Sequence, residues 1–398
     1  GKKTDWMGRS NYLGYGNNET FTVNIDVEDD YGFCVWANDG NSATFDIIIE
    51  ENIPGVWKGT DNEAWHWGSN WTLSMVPDAS MDVVIPAGTP YSPRTDYADG
   101  TCNNITIEPG TTLDIYDHSL NVTGNLEVRG ALNMTNFYGV GDLNVSGDVT
   151  WASGSTANIY NNAEMFVEGD WTFEAGSNVH LNNGYVEFMG SGHSLIYSRS
   201  DDSWFNHFGS DKDPGGFVAN ENTPGSRPLV INGDFYGWPG SDFINYSFNS
   251  VILRGDEFYN PVGSEFHFPN GAMIFDGVDA TITANAGSYF NDLIISSSGT
   301  VQLQDPIVIE GDLLIESGVF QTNSHTIEIQ GDWDNDVGFS AFVQGTGTVI
   351  FNGTGIQFVE DESFYTLELD KPWGDLRFLT GASYCTNYEW TQGAMRDR

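Results

Sequence analysis

An all-β fold, a parallel β-helix with about 20 residues per turn, is the architecture that the sequence predicts. The first observation behind it is a phrase, ΦxΦxG(D/N)Φ with Φ apolar, that occurs six times. Its glycines are Gly124, Gly147, Gly169, Gly233, Gly311 and Gly331, separated by 23, 22, 64, 78 and 20 residues. One period near 20 residues accounts for all five intervals, which indicates a stacked repeat of roughly 12–16 turns. The second observation is that each copy carries short apolar–polar alternations closed by a turn, and these are typical of strands.

The composition limits the function classes. The chain of 398 residues carries 56 acidic and 14 basic residues, a net charge of −42, so we expect no nucleic-acid partner. With 39% hydrophobic and 14% aromatic residues it is too apolar to be disordered. It contains no apolar run long enough for a membrane span. The acidity itself is consistent with a solvated surface, with Ca²⁺ uptake or with adaptation to salty water.

Residues 1–52 differ from the remainder and predict the end of an upstream β-sandwich-like domain. Three alternating segments, FTVNIDV, FCVWAND and ATFDIIIEE, are separated by short turns. Acidic residues cluster in and beside the turns of this unit at Asp26, Asp29, Asp30 and Asp39. They are candidate Ca²⁺ ligands, and solvated turns are the alternative. Because the start GKKTDWMG lacks the features of a signal peptide, we expect that such a peptide has been removed. We also expect the chain to be part of a longer polypeptide.

Residues 53–102 predict a tryptophan-rich cap on the first turn of the helix. Trp57, Trp65, Trp67 and Trp71 immediately precede the repeats. An open solenoid end exposes both a hydrophobic core and unpaired strand edges, so a cap of bulky side chains is expected there. A sugar-stacking platform is the alternative interpretation of these four residues.

Residues 103–398 then form the predicted β-helix. Two polar, aromatic-rich stretches, at about 198–228 and 236–262, interrupt its alternation. We expect them to be insertions that leave the solenoid at one corner and form a binding face.

The repeated Gly-Asp or Gly-Asn pair predicts tight turns. The glycine is expected in a left-handed or tight conformation, and the next residue is expected to hydrogen-bond its own backbone. Stacking would align these residues as a partial ladder: Asn125, Asp148, Asp170, Asp234, Asp312 and Asp332. A metal-binding ladder is the alternative, although the nine-residue spacing of calcium-binding RTX repeats is missing.

The segments VWKGTDNEAWHWGSNWTLSMVPDASMDVVIPAG, CNNITIEPGTTLDI and GTVIFNGTGIQF, in this order, resemble a module of large exported proteins of the Bacteroidetes. The resemblance covers roughly residues 55–380. It implies a right-handed parallel β-helix in a secreted or cell-surface, adhesin-like protein that is exported by the type IX secretion system. It therefore implies the outer-membrane secretion machinery as a partner. The family supplies no catalytic residues, and its usual C-terminal sorting domain is absent from this sequence.

An enzyme is the alternative from another class, because many β-helices cleave polysaccharides. Glycoside hydrolysis needs two carboxylates close to the sugar chain. Asp201 and Asp202, with His193, Arg199 and Trp204 nearby in sequence, are the only group that combines acids, a base, a cation and aromatic residues. The ordered motifs of pectin-cleaving β-helices are absent, so we expect no catalytic activity.

The sequence thus predicts a structural or adhesive segment outside the cell that needs no cofactor, with Ca²⁺ as a possible ligand. The expected partner is a polysaccharide or surface glycan. The candidate binding residues are aromatic: Trp204, Phe205, Phe208, Tyr236, Trp238 and Tyr246. A self-assembling surface subunit is the third possibility. The sequence contains three cysteines, Cys34, Cys102 and Cys385, a number that allows at most one intramolecular disulfide.

Overall fold

The computed structural model describes residues 53–134, 141–159, 163–360, 362–379 and 384–397. These residues form a parallel β-solenoid of about 14 turns with about 22 residues per turn, which confirms the predicted fold class. The sandwich-like segment and its candidate Ca²⁺ ligands, within residues 1–52, lie outside the described residues. Among the described residues, no helix is long and apolar enough to cross a membrane.

Each turn of the solenoid, here called a rung, contributes strands to three faces, and neighbouring rungs pair in parallel. The first face contains Val83–Ile85, Ile105–Ile107, Leu126–Val128, Val149–Trp151, Trp171–Phe173, Ser194–Ser198, Gly216–Asn220, Ser241–Asn245, Phe266–His267, Ile307–Ile309, Ile327–Ile329 and Thr348–Phe351. The second face contains Thr112–Ile115, Ala131–Met134, Thr156–Ile159, Asn178–His180, Leu229–Ile231, Val251–Leu253, Ala272–Phe275, Trp333–Asn335 and Gln357–Val359.

The third face contains Gly100–Cys102, Leu120–Val122, Leu143–Val145, Glu164–Val167, Tyr185–Gly190, His207–Lys212, Phe235–Gly237, Glu257–Tyr259, Ala280–Thr283 and Phe342–Val343. Four longer strands continue round a corner from one face to the next: Asp292–Leu303, Leu313–Gln321, Ser363–Phe378 and Tyr384–Asp397. Three short 3₁₀ helices, Gly68–Asn70, Thr72–Ser74 and Phe339–Ala341, complete the regular structure.

The core is a continuous file of inward apolar side chains. Most three-residue strands have a buried first and third residue and a partly exposed middle one, as in Leu126–Val128 and Trp171–Phe173. Because strand residues alternate between two sides, one side of every rung enters the core and the other faces solvent. Residues in equivalent positions of successive rungs therefore stack as columns on the outer surface.

Three tryptophans of the predicted cap belong to this core. Trp57, Trp65 and Trp71 are buried, and the Trp71 ring lies 4.9 and 4.7 Å from the other two ring centroids. Backbone bridges from Val56 to Val84 and from Ala64 to Arg94 join the segment to the rungs that follow. This packing favours the cap interpretation for these three residues, whereas Trp67 is half exposed.

The repeated phrase marks corners, and it occurs at all three of them. Gly124, Gly147 and Gly169 lie between the third and first faces, Gly233 lies between the second and third, and Gly311 and Gly331 lie between the first and second. Because Gly169 and Gly233 lie at different corners, the 64 residues between them span two whole turns plus two further faces. The predicted single ladder is therefore wrong, because the six Asp and Asn residues belong to three separate columns.

The corner glycines are required by close approach of the rungs. None of the six has a positive φ, so the expected left-handed conformation is wrong. A Cβ at Gly147 would fall on the Asn125 side chain and 2.6 Å from the Gly124 carbonyl oxygen. A Cβ at Gly331 would fall on the Gly311 carbonyl and the Asp312 carboxylate. Glycine therefore allows successive corners to stack at backbone contact.

The two predicted insertions are rungs of the solenoid, so that prediction is wrong. Tyr185 pairs with His207, Phe208 with Phe235 and Tyr236 with Tyr259, which are steps of 22, 27 and 23 residues. The longest of these steps exceeds an average rung by only about five residues. The loops in this region are therefore short extensions of corners.

Polar residues in the interior explain why the alternation is hidden here. The Lys212 ammonium is buried and donates hydrogen bonds to the carbonyl oxygens of Glu168 at 2.9 Å and Met189 at 2.6 Å. The Asn220 amide donates to the Asn245 side chain at 2.8 Å, and both residues are buried. Buried polar groups are tolerated because they are hydrogen-bonded, but they remove the apolar signal from the sequence.

Candidate functional site

The corner Asp and Asn side chains hydrogen-bond the backbone of the following rung. The Asn125 side chain accepts from the Asp148 N–H at 2.8 Å, and the Asp148 carboxylate accepts from the Asp170 N–H at 2.9 Å. At another corner the Asp312 carboxylate accepts from the Asp332 N–H at 2.7 Å. Partial burial raises the pKa of Asp170 and Asp332. These contacts give the columns a structural role, since they satisfy corner N–H groups without any cation.

The structure separates His193 from the other candidate catalytic residues, and two of those others are engaged in ion pairs. Asp201 pairs with Arg227 at 2.9 Å, and Arg199 pairs with Glu174 at 2.9 Å. The ring of His193 stacks on Phe217 with centroids 3.9 Å apart. His193 precedes the first-face strand Ser194–Ser198, whereas Asp201 and the exposed Asp202 follow it, so about 17 Å of strand separates them.

The six candidate sugar-binding aromatics are also dispersed. Phe205 and Phe208 are fully buried in the core and are not available to a ligand. Trp204 stacks on His180 of the second face, with centroids 3.6 Å apart. Tyr246 lies at a corner beyond the first face. Among the candidates that reach the surface, Tyr236 and Trp238 lie together, at the end of the third face.

Tyr236 belongs to an evenly spaced row of rings on the third face. Its ring centroid lies 6.3 Å from that of Tyr185 and 6.4 Å from that of Tyr259. Each of the three side chains occupies an outward, partly exposed position of its strand. We call these three residues the tyrosine ladder, and it follows the direction in which the rungs stack.

The even spacing depends on Gly209. Gly209 lies on the rung between Tyr185 and Tyr236, at an outward position paired with Tyr236. A Cβ there would fall on the Tyr185 hydroxyl and lie 2.9 Å from Tyr185 Cζ. The Tyr185 ring therefore lies across this rung, buries Gly209 and fills the gap in the ladder.

Carboxylates line the tyrosine ladder. The Tyr236 hydroxyl donates to the Asp234 carboxylate at 3.2 Å, and Glu257 also interacts with it. Burial, together with these carboxylates, raises the pKa of Tyr236 to about 12. Burial first, and then the charges of Asp211 and Glu164, raise the pKa of Glu187. Hydrogen bonds with Tyr185 and with the half-exposed Trp238 partly oppose this increase, because they lower the pKa of Glu187.

Sequence reasoning overlooked Tyr185, Tyr259 and Glu187. Each stands at a partly exposed position of an ordinary alternating strand, YVEFMG or EFY. The signal that could have found them is their place on the outward side of one face, within four stacked rungs. That place is visible only once the register is known.

A second aromatic group lies on the first face. The rings of His267 and Tyr289 stack with centroids 5.1 Å apart, and Tyr246 lies near Tyr289. Burial, followed by the charge of Glu310, raises the pKa of Tyr289. This group has fewer rings in a row than the tyrosine ladder.

Three carboxylates converge elsewhere in the described residues. Oxygens of Asp334, Asp336 and Glu360 lie within 4.8 Å of one another, and such a set could hold a divalent cation. The sequence had singled out none of these residues as metal ligands. Cys102 and Cys385 are free cysteines, the former buried and the latter exposed. Cys34 lies outside the described residues.

Comparison with known proteins gives one match. Residues 56–139 match a family described as a domain of unknown function (DUF8693). The match covers about a fifth of the chain and includes the tryptophan segment and the first rungs. No curated protein matches the chain, and no solved structure does.

Proposed function

We propose that this chain is a non-enzymatic structural or adhesive segment of an exported protein, and that it binds polysaccharide along the tyrosine ladder. The observation that carries the proposal is the even row of Tyr185, Tyr236 and Tyr259, at 6.3 and 6.4 Å, beside Trp238. The resemblance to exported Bacteroidetes modules supports a location at the cell surface or outside the cell.

The chemistry of the ladder suits a sugar chain. Aromatic rings offer broad apolar faces at low entropic cost, and they bind flat apolar ligand surfaces. The carboxylates of Asp234, Glu257 and Glu187 can accept hydrogen bonds from hydroxyl groups next to those faces. The direction of the ladder favours a linear polymer, because a chain lying along it would contact several rungs at once.

The experiment is a binding measurement on the double variant Tyr236→Ala/Tyr259→Ala. A panel of neutral, acidic and amino-sugar polysaccharides is titrated by affinity electrophoresis and calorimetry, and the length of each polymer is followed by size-exclusion chromatography. We expect at least one polymer to bind without being shortened. We expect the double variant to lose at least tenfold in affinity, which corresponds to about 1.4 kcal/mol.

The matched control is Tyr289→Ala, which removes a stacked tyrosine from the first face. It should keep the wild-type affinity, and all variants should keep a wild-type melting profile. Equal losses in the control and the double variant would contradict binding at the ladder. Shortening of any polymer would instead favour the enzyme alternative, with Glu187 and Asp211 as the first carboxylates to substitute.

A further inference from the structure

Carboxylates predominate among the charged side chains around the tyrosine ladder. The groups whose charges act on Glu187 are Asp211 and Glu164, and those that act on Tyr236 are Asp234 and Glu257. Two basic groups of these rungs are engaged elsewhere. Lys212 points into the core, where its ammonium binds carbonyl oxygens, and Arg254 pairs with Asp276 at 2.9 Å.

His207 also borders the ladder, and it is engaged by one of these carboxylates. Its Nδ1 accepts a hydrogen bond from the Asp234 N–H at 3.1 Å and lies 3.3 Å from the Asp234 carboxylate. Its Nδ1 is therefore directed at Asp234, at the corner between the second and third faces. A ligand on the ladder consequently meets aromatic rings and carboxylates.

We infer that the polymer bound by the ladder carries primary amines, so that its class is a linear amino-sugar polysaccharide with free amino groups. An ammonium group is attracted both by a carboxylate and by the face of an aromatic ring, and the ladder presents the two side by side. Glu187 is the pairing residue, because it lies in register with Gly209 and Tyr236 on the third face and its carboxylate interacts with Tyr185 and Trp238. Uronic acid polymers, in contrast, are repelled by the same carboxylates. This inference rests on the proposed function.

The test compares two oligosaccharides of equal length, one with free amines and one fully N-acetylated, at mildly acidic pH and low salt. We expect the free-amine oligomer to bind at least tenfold more tightly than its N-acetylated counterpart. The charge-removing substitution Glu187→Gln should reduce this preference severalfold, because the free-amine oligomer loses more affinity than the N-acetylated oligomer does. Added salt should weaken only the binding of the free-amine oligomer.

Two controls distinguish the ladder from attraction to an acidic surface in general. Glu316→Gln removes one charge at an exposed position of strand Leu313–Gln321 and should leave the preference unchanged. Tyr236→Ala changes no charge and should weaken binding of the free-amine oligomer at least fivefold. Equal effects of Glu316→Gln and Glu187→Gln, or no effect of Tyr236→Ala, would overturn the inference.

The outcomes separate this inference from the proposed function. Equal or tighter binding of the N-acetylated oligomer, still weakened by Tyr236→Ala, would overturn the amine preference and leave polysaccharide binding in place. Absence of binding by either oligomer and by every other member of the panel would overturn both.

Discussion

Single atoms decide the fit of each corner of this solenoid. At Gly147 a Cβ has no room, because the Asn125 side chain and the Gly124 carbonyl of the preceding rung already occupy its place. The glycine is thus required by a neighbour about 22 residues away in sequence, and not by its own φ. Turn preferences correctly predict a glycine at this position. They attribute it to the backbone conformation, whereas the cause is the close approach of the preceding rung.

Gly147→Ala is therefore expected to destabilise the fold by about 1–3 kcal/mol, since the rungs must move apart to admit the methyl group. The matched control is Gly192→Ala, where a Cβ meets nothing within 4 Å and φ is not positive. Urea unfolding of both variants measures the difference. A cost for Gly192→Ala as large as that for Gly147→Ala would contradict close approach as the cause.

Glu362 is a buried acid among hydrogen-bond donors. Its carboxylate accepts from the Asn335 amide at 2.7 Å and the Trp333 indole at 3.3 Å, and its side chain is fully buried. Burial nevertheless dominates and raises its pKa to about 7. Because the folded-state pKa exceeds the unfolded value, the folded state binds this proton more tightly.

The wild-type protein should therefore lose stability relative to Glu362→Gln as the pH rises from about 4.5 to about 7. The full difference between the two pKa values corresponds to about 3 kcal/mol. Glutamine keeps an oxygen acceptor and cannot ionise. The free energy of unfolding of both proteins, measured from pH 4 to pH 8, gives the difference curve. A flat curve across this window would show that Glu362 does not titrate there.

At the scale of the element, the register between paired strands of the third face determines which aromatic rings lie next to one another. Tyr185 reaches over Gly209 towards Tyr236, two rungs away, and Tyr259 lies on the next rung, so the three tyrosines form one evenly spaced row. Gly209 is accordingly a positioning residue for the row.

Gly209→Ala should displace the Tyr185 ring, because the new methyl group would fall on its hydroxyl and lie 3.3 Å from Glu187 Cγ. We expect polysaccharide affinity to fall severalfold, with a smaller loss of stability than for Gly147→Ala, since a surface ring can move aside more easily than a backbone. Titration and thermal unfolding of the same sample check both parts. Unchanged affinity would mean that the position of Tyr185 does not matter for binding.

At the scale of the whole molecule, the sequence was sufficient for the fold class and insufficient for the register. Alternation in segments such as Leu120–Val122 and Leu126–Val128 identifies the inward residues correctly. The corner of each motif could not be assigned, because all three corners have the same steric requirement and use the same Gly-Asp phrase. The single period therefore predicts whole rungs between Gly169 and Gly233, where the structure has two whole turns plus two faces.

The candidate site was predicted less well, for a related reason. Buried polar residues such as Lys212 and Asn220 made two rungs resemble loops, and aromatics within them, Phe205 and Phe208, were assigned to a binding surface. These phenylalanines fill the core. The tyrosines that do face outward belong to plain strands, and only the stacking of rungs unites them.

The most direct test of binding at the third face is a crystal structure of the chain with a bound oligosaccharide from the panel. We predict that the sugar lies along the direction of rung stacking and contacts Tyr185, Tyr236 and Tyr259 together. A sugar bound instead at the first-face group of His267 and Tyr289, with the third face empty, would contradict the account.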